Sequence, residues 1–145
     1  MMGSLTAGDA LAAAGIDIAA VRRELPAVEP FAVSIRPASP LFQRFWARSI
    51  VAVAMPWGVY VRPVVFDRIR TGAEPSRDGP LVVHELTHIE QFRRLGPLRH
   101  IAQYVGDYLG GRRRGRGHWE AYRNVRLEVE AREVAARFSP GQVPR

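Results

Sequence analysis

The pentapeptide His84-Glu85-Leu86-Thr87-His88 lies inside a run that reads as helix, and no other feature constrains this chain as much. Residues four apart on a helix stack one turn apart on the same face, so both imidazoles can reach one ion while Glu85 stands beside it without ligating. Two such histidines are half of a zinc site, with a glutamate placed as general base, and they point to a metal-dependent hydrolase. The competing reading is a pair of core histidines hydrogen-bonded in the interior, with Glu85 and Glu90 as ordinary helix formers. On a helical wheel Leu81, His84, Glu85, His88, Ile89, Phe92 and Leu95 share one broad face, with Glu90, Arg93 and Arg94 opposite. The histidines are therefore expected to point inward. That suits a desolvated metal and a pair of core histidines equally well.

Punctuation on either side sets the expected bounds of this helix. Asp78-Gly79-Pro80 offers a cap and a first-turn proline, and Gly96-Pro97 a stop, giving a motif helix from about Pro80 to Leu95. A second helix follows from about Pro97 to Leu109, with Leu98, Ile101, Ala102, Val105 and Leu109 on one face. Gly110 to Gly117 reads as a flexible basic loop, and one long helix, Trp119 to Phe138, closes the domain before a frayed tail over 139–145.

Upstream, Phe31 to Arg36 reads as a short strand and Leu41 to Ala47 as a short helix behind Ser39-Pro40. Ser49–Ala54 and Val59–Val65 are β-branched runs separated by Met55-Pro56-Trp57-Gly58, which predicts a β-hairpin. Pro63 has no amide hydrogen, so the second run is expected at a sheet edge, either to accept an extended peptide by strand addition or simply to block aggregation. Asp67 to Gly79 reads as a surface loop. Near the start, Thr6–Ala14 and Asp17–Arg23 read as two short helices divided by Gly15, within a peripheral N-terminal arm over residues 1–30.

With 145 residues and 47% apolar content, the chain fits a single domain, 1–145, with a real core. The expected class is α+β: a β-hairpin or small antiparallel sheet packed on the motif helix and the long C-terminal helix. Cysteine is absent, so a metal must be held by histidine and carboxylate. No basic cluster and apolar stretch of the secretory kind opens the chain, and the Ser49–Val61 run is broken by Pro56 and Gly58, so a cytoplasmic protein without a transmembrane segment is expected. All 21 basic residues are arginine and the net charge is +7. Such uniform use of arginine resembles a compositional habit more than a local adaptation. Arg112, Arg113, Arg114 and Arg116 could contact phosphates of nucleic acid or anionic lipid, but the glycines among them favour a solvated loop, and no aromatic residues interleave to stack bases. Nucleic acid is therefore not the expected partner.

A catalytic zinc needs a third protein ligand, and the last helix offers four glutamates. Glu130 and Glu133 fall on its charged side with Arg123, Arg126 and Arg137. Glu128 falls inside the apolar face, where an isolated carboxylate would be costly. Either Glu128 is the third ligand or it forms a buried pair with Arg132.

With these residues in place, the pattern resembles the gluzincin branch of the HExxH metallopeptidases, whose third ligand is a glutamate from a downstream helix followed three residues later by a small residue. Glu128-Val129-Glu130-Ala131 matches. Many gluzincins continue with an Asp that orients a ligand histidine; Arg132 stands there instead, so that support is missing. The stretch HELTHIEQFRRLG, preceded by GVYVRP, is also similar to small bacterial zincin-like domains, over roughly Val51 to Arg137. The resemblance implies a zincin-like fold and a zinc-dependent peptidase or amidase acting on a peptide or protein substrate. His84, His88 and Glu128 would be the ligands and Glu85 the general base for a metal-activated water. Tyr104, His118 and Tyr122 are candidates for steadying the oxyanion. The alternative is a non-catalytic zincin-like module that binds metal or a protein partner.

Overall fold

Local capping chemistry sets the first two helices. In the computed structural model, which describes residues 5–138, Thr6 and Asp9 form a reciprocal capping box at the start of helix α1 (Ala7–Ala13), and Asp17 caps α2 (Ile18–Glu24). Gly15 separates them with a φ of 73°, a left-handed conformation that favours glycine. The tail expected over 139–145 lies outside the described residues.

A small three-stranded sheet follows, ordered β1 (Ile35–Pro37), β3 (Gly58–Val61), β2 (Ala52–Met55). β2 and β3 form the expected antiparallel hairpin, Ala52 facing Val61 and Met55 facing Gly58. The sheet is mixed, because β1 runs parallel to β3, with Ile35 opposite Val59. β3 is thus the central strand, and the expectation that Pro63 marks an edge strand is corrected. Pro63 begins helix α4 (Pro63–Thr71), where its missing N–H costs nothing. The free edge beside the motif helix belongs to β2. Between β1 and β2, a short α3 (Pro40–Gln43) is capped by Ser39, shorter than expected.

The stretch read as a surface loop is largely helical. α5 starts at Pro75 and runs to Leu95, so Asp78-Gly79-Pro80 lies within it. Asp78 is buried rather than a cap: Arg68 of α4 grips its carboxylate at 2.6–3.0 Å, and that pairing holds the extra turn. After Gly96, α6 spans Pro97–Arg113, absorbing part of the expected basic loop. The long terminal helix is two, α7 (His118–Arg123) and α8 (Arg126–Ala136). No proline or glycine marks the break. Asp107 of α6 accepts the Arg126 backbone N–H at 3.1 Å and pairs with its guanidinium, capping α8 from another helix.

α5 runs through the middle, touching α1, β2, β3, α6 and α8. Leu11, Val21, Ile35, Val59, Val83, Leu86 and Ile89 are all 2% exposed or less and form one core. Burying each such side chain stabilises by about 1.5–3 kcal/mol. The N-terminal segment is therefore core and not a peripheral arm. It also covers the face of α5 expected to be solvated, since Glu90 accepts the Ala27 N–H at 2.8 Å and Arg93 donates to the Ala27 carbonyl at 2.6 Å. The segment that leaves α1 passes α5 so closely that a Cβ on Gly79 would stand 2.6 Å from Ile16 Cδ1 and 2.9 Å from Ala14 Cβ. None of the helices formed by the described residues is long and apolar enough to cross a membrane.

The face of α6 expected to be apolar core is instead exposed. Leu98, Ile101, Val105 and Leu109 point to solvent, while His100, Tyr104 and Asp107 turn toward α5, α7 and α8.

Candidate metal centre

The site forms where α8 returns against the middle of α5, an arrangement carried by Leu127, Ala131 and Val134 packing inward. That packing brings Glu128 to the two histidines across 44 positions of sequence. Glu128 Oε2 lies 3.2 Å from His84 Nε2, Glu128 Oε1 lies 3.2 Å from His88 Nε2, and the two Nε2 atoms are 3.2 Å apart. His84, His88 and Glu128 each present one ligand atom within 4.8 Å of the others, a group able to hold a metal ion. Ligands bonded at about 2.0–2.1 Å to a tetrahedral zinc stand about 3.3 Å from one another. The observed spacing fits that edge, and the donor set of two imidazoles and a carboxylate is one that zinc accepts.

Glu128 does not pair with Arg132, whose guanidinium instead donates to the Arg123 backbone carbonyl. The Tyr104 hydroxyl donates to Glu128 Oε1 at 3.1 Å, and Tyr122 also interacts with this carboxylate. Burial opposes ionisation of Glu128, but hydrogen bonds from His84 and His88 outweigh it and hold the carboxyl well below its ordinary range. Burial likewise works against a charged His88, yet its bond to Glu128 and the fields of Glu85 and Glu128 lift it to about 9. This inward-facing set of carboxylates is the electrostatic complement of a cation.

Gln91 was not among the candidate site residues read from the sequence, and it fixes the chemistry of His88. It is fully buried, and its Nε2 donates to the Leu127 carbonyl at 2.9 Å and to Glu130 Oε1 at 3.0 Å. Its Oε1 must then face His88 Nδ1, 2.9 Å away. An amide oxygen only accepts, so Nδ1 carries a hydrogen and the lone pair of the neutral ring falls on Nε2, toward His84 and Glu128. Gln91 thus orients His88 from about one turn along the same helix. Glu130, expected on a solvated face, serves this network and also receives Arg94 at 3.0 Å. The i+3 spacing from His88 was the available signal, but Gln91's partners on α8 are remote in sequence.

Glu85 is buried and accepts the backbone N–H of Ala54 on β2. Burial pushes its carboxyl up, with the two histidines pulling the other way. A carboxylate moved toward neutrality is suited to general-base work. Glu85, His84, His88 and Glu128 line a cavity of about 200 Å³, together with His100, Tyr104, Tyr122 and residues of β2. A second, open cavity of about 520 Å³ adjoins it, reaching from His84, Glu85 and Tyr122 to Arg77 and Arg132.

Of the three oxyanion candidates, Tyr122 lines both cavities and Tyr104 the inner one. Burial and the nearby Glu128 push both phenols well above their ordinary range, so they remain donors. His118 pairs with the Tyr108 hydroxyl at 2.7 Å and lines neither cavity. His100 was also missed. It is stacked on Phe92 with centroids 3.8 Å apart, its Nε2 is buried without a hydrogen-bond partner, and burial lowers it to about 4. Sequence placed it on no recognisable motif. No protein-family profile, curated protein or solved structure matches the chain.

Proposed function

We propose that this protein is a zinc-dependent hydrolase acting on peptide or amide bonds, with His84, His88 and Glu128 as ligands and Glu85 as general base. The observation that carries the reading is the Nε2–Nε2–carboxylate cluster with 3.2 Å separations, one of its rings held by Gln91 with a lone pair facing inward. When bound, zinc would supply Lewis acidity toward the scissile carbonyl and acidify a water molecule. Glu85, with its raised carboxyl, takes the proton of the attacking water and returns it to the leaving amine. Tyr122, held protonated on the wall shared by both cavities, is the donor best situated for the developing oxyanion. The open cavity beside the free edge of β2 gives an extended substrate room to lie against the site.

A non-catalytic metal-binding module is the second reading, favoured by Arg132 where many gluzincins keep an aspartate; Glu85, buried on the cavity wall with its carboxyl pushed up, weighs against it. The experiment is exposure of a cellular peptide mixture to zinc-loaded wild type and Glu85→Gln. The account expects chelator-sensitive cleavage by wild type only, with equal zinc in both proteins. Absence of cleavage by the loaded wild type would leave the non-catalytic module.

A further inference from the structure

We propose that α6 is an interfacial helix that docks this protein on the surface of an anionic lipid bilayer. The helix is turned inside out relative to its sequence pattern. His100, Tyr104 and Asp107 face the protein, where His100 and Tyr104 line the inner cavity and Asp107 caps α8. Its apolar stripe faces solvent: Leu98 is 85% exposed, Ile101 54%, Val105 47% and Leu109 47%. These recur at i, i+3, i+7 and i+11, a continuous row along one side of the helix.

The charges bordering that row select the occupant. Arg112 and Arg113 continue it at the C-terminal end, and neither has a carboxylate partner among the described residues. The only carboxylate on α6 is Asp107, on the far side and committed to Arg126. A second copy seated on this row would offer these arginines no carboxylate from its own α6. A bilayer surface rich in anionic headgroups takes the leucines and valine into its acyl boundary while the arginines reach up to phosphates. A helix spanning Pro97–Arg113 lies flat in such an interface, because it is neither long nor apolar enough to cross. The proposal stands apart from the metal reading, since it rests on the outer face of α6.

The test is flotation of the full chain with vesicles of phosphatidylcholine alone and of equimolar phosphatidylcholine and phosphatidylglycerol, in about 0.1 M salt. Wild type is expected to float with the anionic vesicles only. Leu98→Ser with Val105→Ser and Leu109→Ser, all at exposed positions, should lower partitioning at least about tenfold while leaving thermal stability unchanged. Arg112→Gln with Arg113→Gln should lower it several-fold and flatten its salt dependence. Equal flotation of the triple-serine variant would overturn the proposal, because binding would then come from general basicity. So would absence of flotation by wild type, dimerisation abolished by the same serines, or complete displacement from vesicles by duplex DNA.

Discussion

Replacing Gln91 with leucine removes the group that orients His88 without touching a ligand. The side chain makes hydrogen bonds at 2.9 Å to His88, 2.9 Å to the Leu127 carbonyl and 3.0 Å to Glu130. Glu130 is partly exposed and keeps Arg94, so it can find water. The Leu127 carbonyl keeps its bond within α8, whereas the buried His88 Nδ1–H would be left unpaired, so the metal-free fold should lose about 1–3 kcal/mol. Zinc affinity should fall about 10- to 100-fold, because the ring is no longer held in the tautomer that presents Nε2. Gln91→Glu should not rescue either property, since a carboxylate would face the Leu127 carbonyl and the Glu130 carboxylate. Denaturant unfolding with chelator present reads the first quantity, and competition against a chromophoric chelator reads the second. A folded Gln91→Leu protein that binds zinc within about twofold of wild type would refute the assignment of His88's tautomer and of Gln91's role.

Three further outcomes are expected. Zinc affinity should weaken by about tenfold per unit as pH falls below 9: the unloaded His88, raised to about 9, is protonated there, and zinc must displace the Nε2 proton. Chelator competition from pH 6 to 10 checks this, and a flat profile would count against it. His100→Phe should keep its zinc and be as stable as wild type or more so, by up to about 1–3 kcal/mol, because an unpaired buried nitrogen is removed while the stack on Phe92 is kept. Its turnover should drop at least about tenfold, from loss of a buried, unpartnered nitrogen on a residue that lines the cavity; full activity would show that His100 only packs. Gly79→Ala should destabilise by about 1–3 kcal/mol, since its Cβ meets Ile16 Cδ1 at 2.6 Å and Ala14 Cβ at 2.9 Å. Thermal unfolding reads it, and an unchanged midpoint would mean that the segment leaving α1 is not packed this closely on α5.

Periodicity made one half of the site legible and left the other half hidden. The inward face of the motif helix and the place of Glu128 within the apolar face of the last helix both follow from the wheel, and the hairpin at Met55–Gly58 follows from its turn residues. Gln91 and His100 escaped because their significance lies in partners on other helices, which no local pattern records. α6 misled for a related reason: its leucines and valine form an ordinary core-like stripe, but the cavity needed His100 and Tyr104 inside. The break before α8 is invisible locally because Asp107 supplies its cap from nineteen positions away. The Ala-rich N-terminal segment read as peripheral because small side chains give a weak moment, yet smallness is what lets the chain at the end of α1 approach Gly79 so closely.

The most direct measurement for the central claim is zinc content by elemental analysis after exhaustive dialysis of zinc-loaded protein, comparing wild type with His84→Ala, His88→Ala, Glu128→Ala and Glu85→Gln. The account predicts stoichiometric zinc in wild type and Glu85→Gln, and its loss from each of the three ligand variants. Stoichiometric zinc in all three ligand variants, or none in wild type, would contradict it.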